Sequence, residues 1–181
     1  MSDSPNPYAT PTAPLGDRSS APFFATSTFK LAALSTATLG LYEVWWSYQS
    51  WKAIRARTGR KMLPWARALF APLWSFALFG ELEREAVAAA ERSGVLPVLH
   101  GTAYLVLSAL WRLPDPYWLV TLLAFLPLLP ANSLARRLNA RLAPEAEASV
   151  PWSVANTVTL AIGGVILALA VIGTFMPEES D

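Results

Sequence analysis

Two side chains could do chemistry inside otherwise apolar runs. Glu43 interrupts TATLGLYEVWWSYQSW, residues 36–51, and His100, the single histidine of the chain, interrupts VLPVLHGTAYLVLSALWRL, residues 95–113. A carboxylate beside an imidazole can share or relay a proton. At helical spacings of three and four, Ala33, Thr36, Gly40, Glu43, Ser47 and Ser50 fall on one face, all small or polar. The other faces carry Phe29, Leu34, Leu41, Val44, Trp45, Tyr48 and Trp51. Small residues let membrane helices approach closely, so Glu43 is expected to point into a helix bundle. Nine residues separate Glu43 from Lys52, about 13 Å along a helix, and His100 follows Arg92 by about 12 Å. Asn132 and Asn156 are expected at the same ends of two further helices. The pattern therefore predicts an intramembrane polar cluster of Glu43, His100, Asn132 and Asn156.

Three roles suit such a cluster. Glu43 can be protonated or hydrogen-bonded glue for helix packing, with His100 as its partner. The cluster can open to the cytoplasm and bind a ligand or relay protons. Or the two ionisable groups are unrelated. Other chemistry is poorly supplied. There is no Cys and only one His, so no metal-ligand spacing arises, and no cofactor or metal is expected. The glycines at 163 and 164 lack the Lys-Ser/Thr ending of a phosphate loop. A buried lone His builds no nucleophile–His–acid set at water depth, so an enzyme is not expected.

The elements that must hold these residues are legible from composition. Hydrophobic residues make up 54% and charged residues 15%, against roughly 45–50% and 25% in soluble domains. Mean hydropathy is +0.35. A formal charge of +1 provides no global field for nucleic acid. Residues 1–22 hold five Pro and little apolar surface, and are expected to form a disordered polar tail rather than a signal peptide of ordinary form. A single membrane domain is expected over 23–176, followed by an acidic tail at 177–181. Crossing the bilayer takes about 20 apolar residues. Four segments qualify, at about 26–49, 95–113, 116–134 and 152–176. The run at 68–80 is shorter and holds a Pro, and 81–94 is a strong helix former with Glu81 and Glu85 four apart. Together they predict an interfacial or re-entrant amphipathic helix over 63–92. The fold class is thus all-α, with four transmembrane helices plus that fifth element.

Charge sets the orientation. If 68–80 does not cross, 11 of the 14 Lys and Arg residues lie on one side, leaving Arg18, Lys30 and Arg112. A cytoplasmic basic face follows, with both termini outside. Trp111, Tyr117 and Trp118 flank the LPDP turn as interfacial anchors. Lys52, Arg55, Arg57, Arg60 and Lys61 form a basic loop beside a helix end. Such a loop attracts anionic lipid, and it also serves to fix topology.

The run TLGLYEVWWSYQSWKAIRARTG resembles a group of uncharacterised bacterial integral membrane proteins. Their mark is a Thr-x-Gly-(Ile/Leu)-Tyr-x-x-aromatic-Trp motif ending a first span, here Thr38, Gly40, Leu41, Tyr42, Trp45 and Trp46, followed by Lys52 and Arg55. The resemblance covers about residues 25–80. It implies a bacterial inner-membrane location and no catalytic residue. The function expected is a non-enzymatic membrane protein acting through lipid or partner-protein contacts at the cytoplasmic leaflet. The alternative is a small oligomeric proton-coupled transporter or channel using Glu43. Membrane lipids, anionic ones above all, are the expected partners, with a homo-oligomer or a membrane-protein partner as further candidates.

Overall fold

A computed structural model describes residues 21–176. The acidic tail at 177–181, and the polar tail up to residue 20, lie outside the described residues. Seven α-helices follow one another: α1 Thr28–Ala37, α2 Leu41–Thr58, α3 Pro64–Leu69, α4 Ala71–Ala88, α5 Pro97–Ala109, α6 Leu128–Leu142 and α7 Val154–Phe175. Short 3₁₀ turns at Leu110–Arg112 and Tyr117–Leu123 sit on either side of the LPDP tip. Among the described residues the only β pairing is an isolated parallel bridge between Thr26 and Val150. The fold is all-helical.

Two stretches, not four, are long and apolar enough to cross a membrane: Tyr117–Leu142 and Val154–Phe175. The continuous span expected over 26–49 does not form, for a local reason. Thr38 Oγ1 donates to the Leu34 carbonyl at 2.7 Å and accepts the Tyr42 N–H at 2.9 Å, closing α1 and capping α2 with one hydroxyl. Between them Leu39 and Gly40 take left-handed φ values of 52° and 89°. Gly40 does so without a Cβ penalty, whereas Leu39 must be held there by its surroundings. The Thr-x-Gly-Leu-Tyr run is therefore a helix break. The chain turns back, so that Thr26, ahead of α1, and Trp46, within α2, both hydrogen-bond Asn132. The span expected over 95–113 is also shortened, to 13 residues of α5 and the three-residue 3₁₀ turn.

Two features lock the returning chain. Asn132 Oδ1 accepts from the Thr26 N–H at 2.9 Å and the Trp46 Nε1–H at 3.2 Å, while its Nδ2 donates to the Thr26 carbonyl at 2.7 Å. One heptad on, Asn139 repeats the device: Oδ1 accepts from Phe23 N–H at 2.9 Å, and Nδ2 donates to the carbonyls of Phe23 at 2.8 Å and Ala148 at 3.1 Å. Side-chain amides of α6 thus satisfy the extended backbone of residues 23–26, whose buried polar groups would otherwise be orphaned. The second lock is Arg67, whose guanidinium lies 4.3 Å from the Trp51 ring centroid and 4.4 Å from that of Trp74. This sandwich joins α2, α3 and α4. The stretch over 63–92, expected as one helix or two joined ones, is two helices meeting at Phe70.

The outermost helix is α7. Of its apolar window only 6% is buried, against 39% for Tyr117–Leu142. It docks on α1 through Gly163, where a Cβ would stand 2.6 Å from the Ala37 carbonyl oxygen. Lys30, 2% exposed, donates to the Pro151 carbonyl at 2.9 Å near the start of α7. At the other end, Trp118 Nε1–H donates to Thr174 Oγ1 at 3.0 Å. The molecule consequently has a basic end, where α2, α4 and α6 terminate, and an opposite end around the LPDP tip.

Candidate functional site

The break at residues 38–40 creates the site. It places Glu43 in the first turn of α2, its N–H donating to the Gly40 carbonyl at 3.0 Å. A helix N-terminus carries partial positive charge, which favours a carboxylate there. Glu43 is 4% exposed. Its carboxylate faces the hydroxyl of Tyr104 on α5, which also faces Ser108. All three line a cleft of about 220 Å³. Leu39, Leu41, Val44, Pro72 and Trp111 supply apolar walls, and Thr121 adds a hydroxyl. The Thr121 hydroxyl donates to the Leu107 carbonyl at 2.8 Å, tying the tip segment to α5. Among the described residues, no Lys, Arg or His forms an ion pair with Glu43.

The four polar residues expected as one cluster do not gather. His100 is partly exposed and turned back on its own helix, Nδ1 lying 3.0 Å from both the amide nitrogen and the carbonyl oxygen of Leu96. Its ring meets Phe79 edge-on at 6.5 Å between centroids. Asn132 belongs to the backbone clamp. Asn156, in the first turn of α7, has its side-chain oxygen satisfied when that atom faces Ser153 and Lys30, accepting from Lys30 Nζ at 2.8 Å. The partner that Glu43 does have, Tyr104, sits one turn beyond His100. Its signal was present: His100, Tyr104 and Ser108 recur every four residues along an apolar helix, and so share a face. Asn139, seven residues after Asn132, was visible in the same way.

The basic loop divides into two sets. Arg57 pairs with Glu85, and Arg60 with Glu81, which also holds Arg84 at 3.0 Å. The Arg57 guanidinium further covers the Phe23 ring at 4.7 Å. Lys52, Arg55 and Lys61 enter no ion pair among the described residues. An open hollow of about 560 Å³ at the end of α2 is lined by Arg55, Arg60, Lys61 and Leu63. Beside it Leu63 and Trp65 are 58% and 61% exposed. Across the same end, Glu91 pairs with Arg137 at 3.2 Å and Arg141 at 3.3 Å.

Comparisons with protein-family models, curated proteins and solved structures find no match. Function must then be argued from the side chains. Among the described residues no group of three His, Cys, Asp or Glu could hold a metal ion. Unpaired charge lines a hollow at the buried Glu43 carboxylate and at the exposed cations at the end of α2.

Proposed function

We propose that this chain is a non-enzymatic, multi-pass protein of the bacterial inner membrane, acting through anionic lipid headgroups or a partner protein at its basic end. One observation carries the reading. Lys52, Arg55 and Lys61 stand without carboxylate partners among the described residues, and Arg55 and Lys61 share a hollow with exposed Leu63, two residues before exposed Trp65. Unanswered cations beside exposed aromatic and aliphatic side chains suit the headgroup layer, where the former meet phosphate and the latter meet acyl chains. The positive-inside rule puts this end in the cytoplasm. In this reading the Tyr117–Leu142 stretch and α7 cross the bilayer, α5 with its 3₁₀ turn packs beside them as a shorter segment, and α1–α2 and α3–α4 enter and return. Residue 21 then lies on the cytoplasmic side and Phe175 on the other, which revises the outside placement expected of the N-terminal end and keeps that of the C-terminal end.

The test is lipid retention. The protein, extracted into nanodiscs from mixed phosphatidylglycerol and phosphatidylcholine, is expected to retain phosphatidylglycerol preferentially. Each base near an anionic surface contributes about 1 kcal/mol. Replacing Lys52, Arg55 and Lys61 together by Gln should therefore weaken the preference on the order of a hundredfold. Unchanged retention, with topology preserved, sinks the reading. The Glu43 cleft favours a second reading, a small oligomeric proton-coupled transporter or channel. There Glu43→Gln abolishes proton-driven flux in liposomes, and undiminished flux removes it.

A further inference from the structure

We propose that the Glu43 cleft binds a small lipophilic primary ammonium ion. The ammonium sits on the Glu43 carboxylate, and the apolar part lies among Leu41, Val44, Pro72 and Trp111. Four observations carry this. First, Glu43 is 4% exposed yet has no cationic partner among the described residues. The carboxylates that do enter ion pairs, Glu81, Glu85 and Glu91, are met by arginine at the basic end. A buried carboxylate without a partner is costly in a low-dielectric setting, and a mobile cation removes that cost.

Second, Glu43 borders open space: it is one of the residues lining the cleft of about 220 Å³. That is below the roughly 300–1,000 Å³ of drug-sized sites, which selects a small ligand. Third, the polar groups of the cleft match an ammonium with several N–H donors. Tyr104, Ser108 and Thr121 bring hydroxyl oxygens that accept, and Glu43 brings the charge. Fourth, Trp111 stands in the wall and brings an aromatic ring against which an aryl group can pack. The remaining walls are aliphatic and would bury a hydrocarbon or aryl group. The inference concerns binding alone: an ammonium that binds without being moved leaves it standing and removes only the transport reading.

The experiment is isothermal titration of the protein in nanodiscs, with empty nanodiscs subtracted, at neutral pH. The probes are 2-phenylethylammonium and its neutral isostere 2-phenylethanol. Binding of the ammonium at least about tenfold tighter than the alcohol is expected. Equal affinity in the unmodified protein overturns the proposal without recourse to any variant. Glu43→Gln is expected to bring the two probes to parity, and a variant that still prefers the ammonium overturns it too. Gln in place of Lys52, Arg55 and Lys61 is expected to leave the ammonium preference intact. Its loss there would mean that the probe reads the lipid surface instead of the cleft, and would equally overturn the assignment.

Discussion

Two regions of this molecule bury polar side chains, and they treat them in opposite ways. On α6, Asn132 and Asn139 are both fully buried, and each amide is tied down on both its oxygen and its nitrogen: three hydrogen bonds apiece, all to groups fixed in the fold. At the head of α2, Glu43 is buried almost as deeply, yet it faces a phenol and an open cleft, with its charge unanswered. Buried polar groups hold a structure when every partner is supplied internally. A group left partly unanswered beside a cavity contributes little to the fold, and is available to something else. The contrast separates a structural amide from a binding carboxylate, and it can be broken by mutation at either end.

The largest effect belongs to Asn132→Ala. It strands the Thr26 N–H, the Thr26 carbonyl and the Trp46 indole N–H in the core. A buried group without its partner costs about 1–3 kcal/mol, so a loss of about 3 kcal/mol in unfolding free energy is expected. Reversible unfolding in mild detergent measures it. A loss under about 1 kcal/mol would dissolve the contrast from the structural side. Asn139→Ala comes next, at about 2 kcal/mol, because its partners lie nearer the basic end and can recruit water. Limited proteolysis gives a separate readout: residues 21–26 should be cut faster once the clamp on Phe23 and Ala148 is gone, and unchanged cleavage would speak against it.

Much of this architecture was written in the pattern of residues, and the exceptions have physical causes. Helix α7 was legible because its apolar run is unbroken and nothing inside it offers an alternative conformation. The bend between α1 and α2 was not. Hydropathy averages over side chains and is blind to φ, and a Gly within an apolar run reads as a site of close helix packing. Only Thr38, able to end one helix and cap the next, distinguished a break from a span. The Thr26 and Phe23 backbone groups that Asn132 and Asn139 clamp lie more than a hundred residues away in the chain. No spacing rule reveals these. The five bases of the loop were plain, but Glu81 and Glu85 reach Arg60 and Arg57 only because α4 returns alongside α2, so which cations stay unanswered needed the fold. Glu43 was expected at the depth of His100. That estimate rested on depth along straight helices, and the break at Gly40 changed which turn of α5 Glu43 faces.

A middle-sized effect tests the frame on which both regions depend. Gly163→Ala puts a Cβ 2.6 Å from the Ala37 carbonyl oxygen and 3.0 Å from its carbon. Both are backbone atoms, so relief requires α7 to move off α1. Overpacking of this kind costs about 1–3 kcal/mol, and about 1.5 kcal/mol is expected here. Hydrogen exchange should report it as lost protection within α1, with the amides of α4 unchanged. Equal protection throughout would show that α7 docks elsewhere.

The smallest effect on stability, and the sharpest on the comparison, belongs to Glu43→Gln. Glutamine keeps the shape, and its carbonyl can accept from the Tyr104 hydroxyl that Glu43 faces. What disappears is a charge that no cation answers among the described residues. Replacing a buried, unpaired charge by a neutral isostere is commonly neutral or stabilising. A change within about 1 kcal/mol is expected, with a gain more natural than a loss, under the same unfolding conditions as Asn132→Ala. If Glu43→Gln instead costs about 3 kcal/mol, Glu43 is packing glue of the same kind as Asn132, and the cleft beside it has no claim on a ligand. If stability is kept while the ammonium preference vanishes, a group the fold can do without is the group the ligand needs.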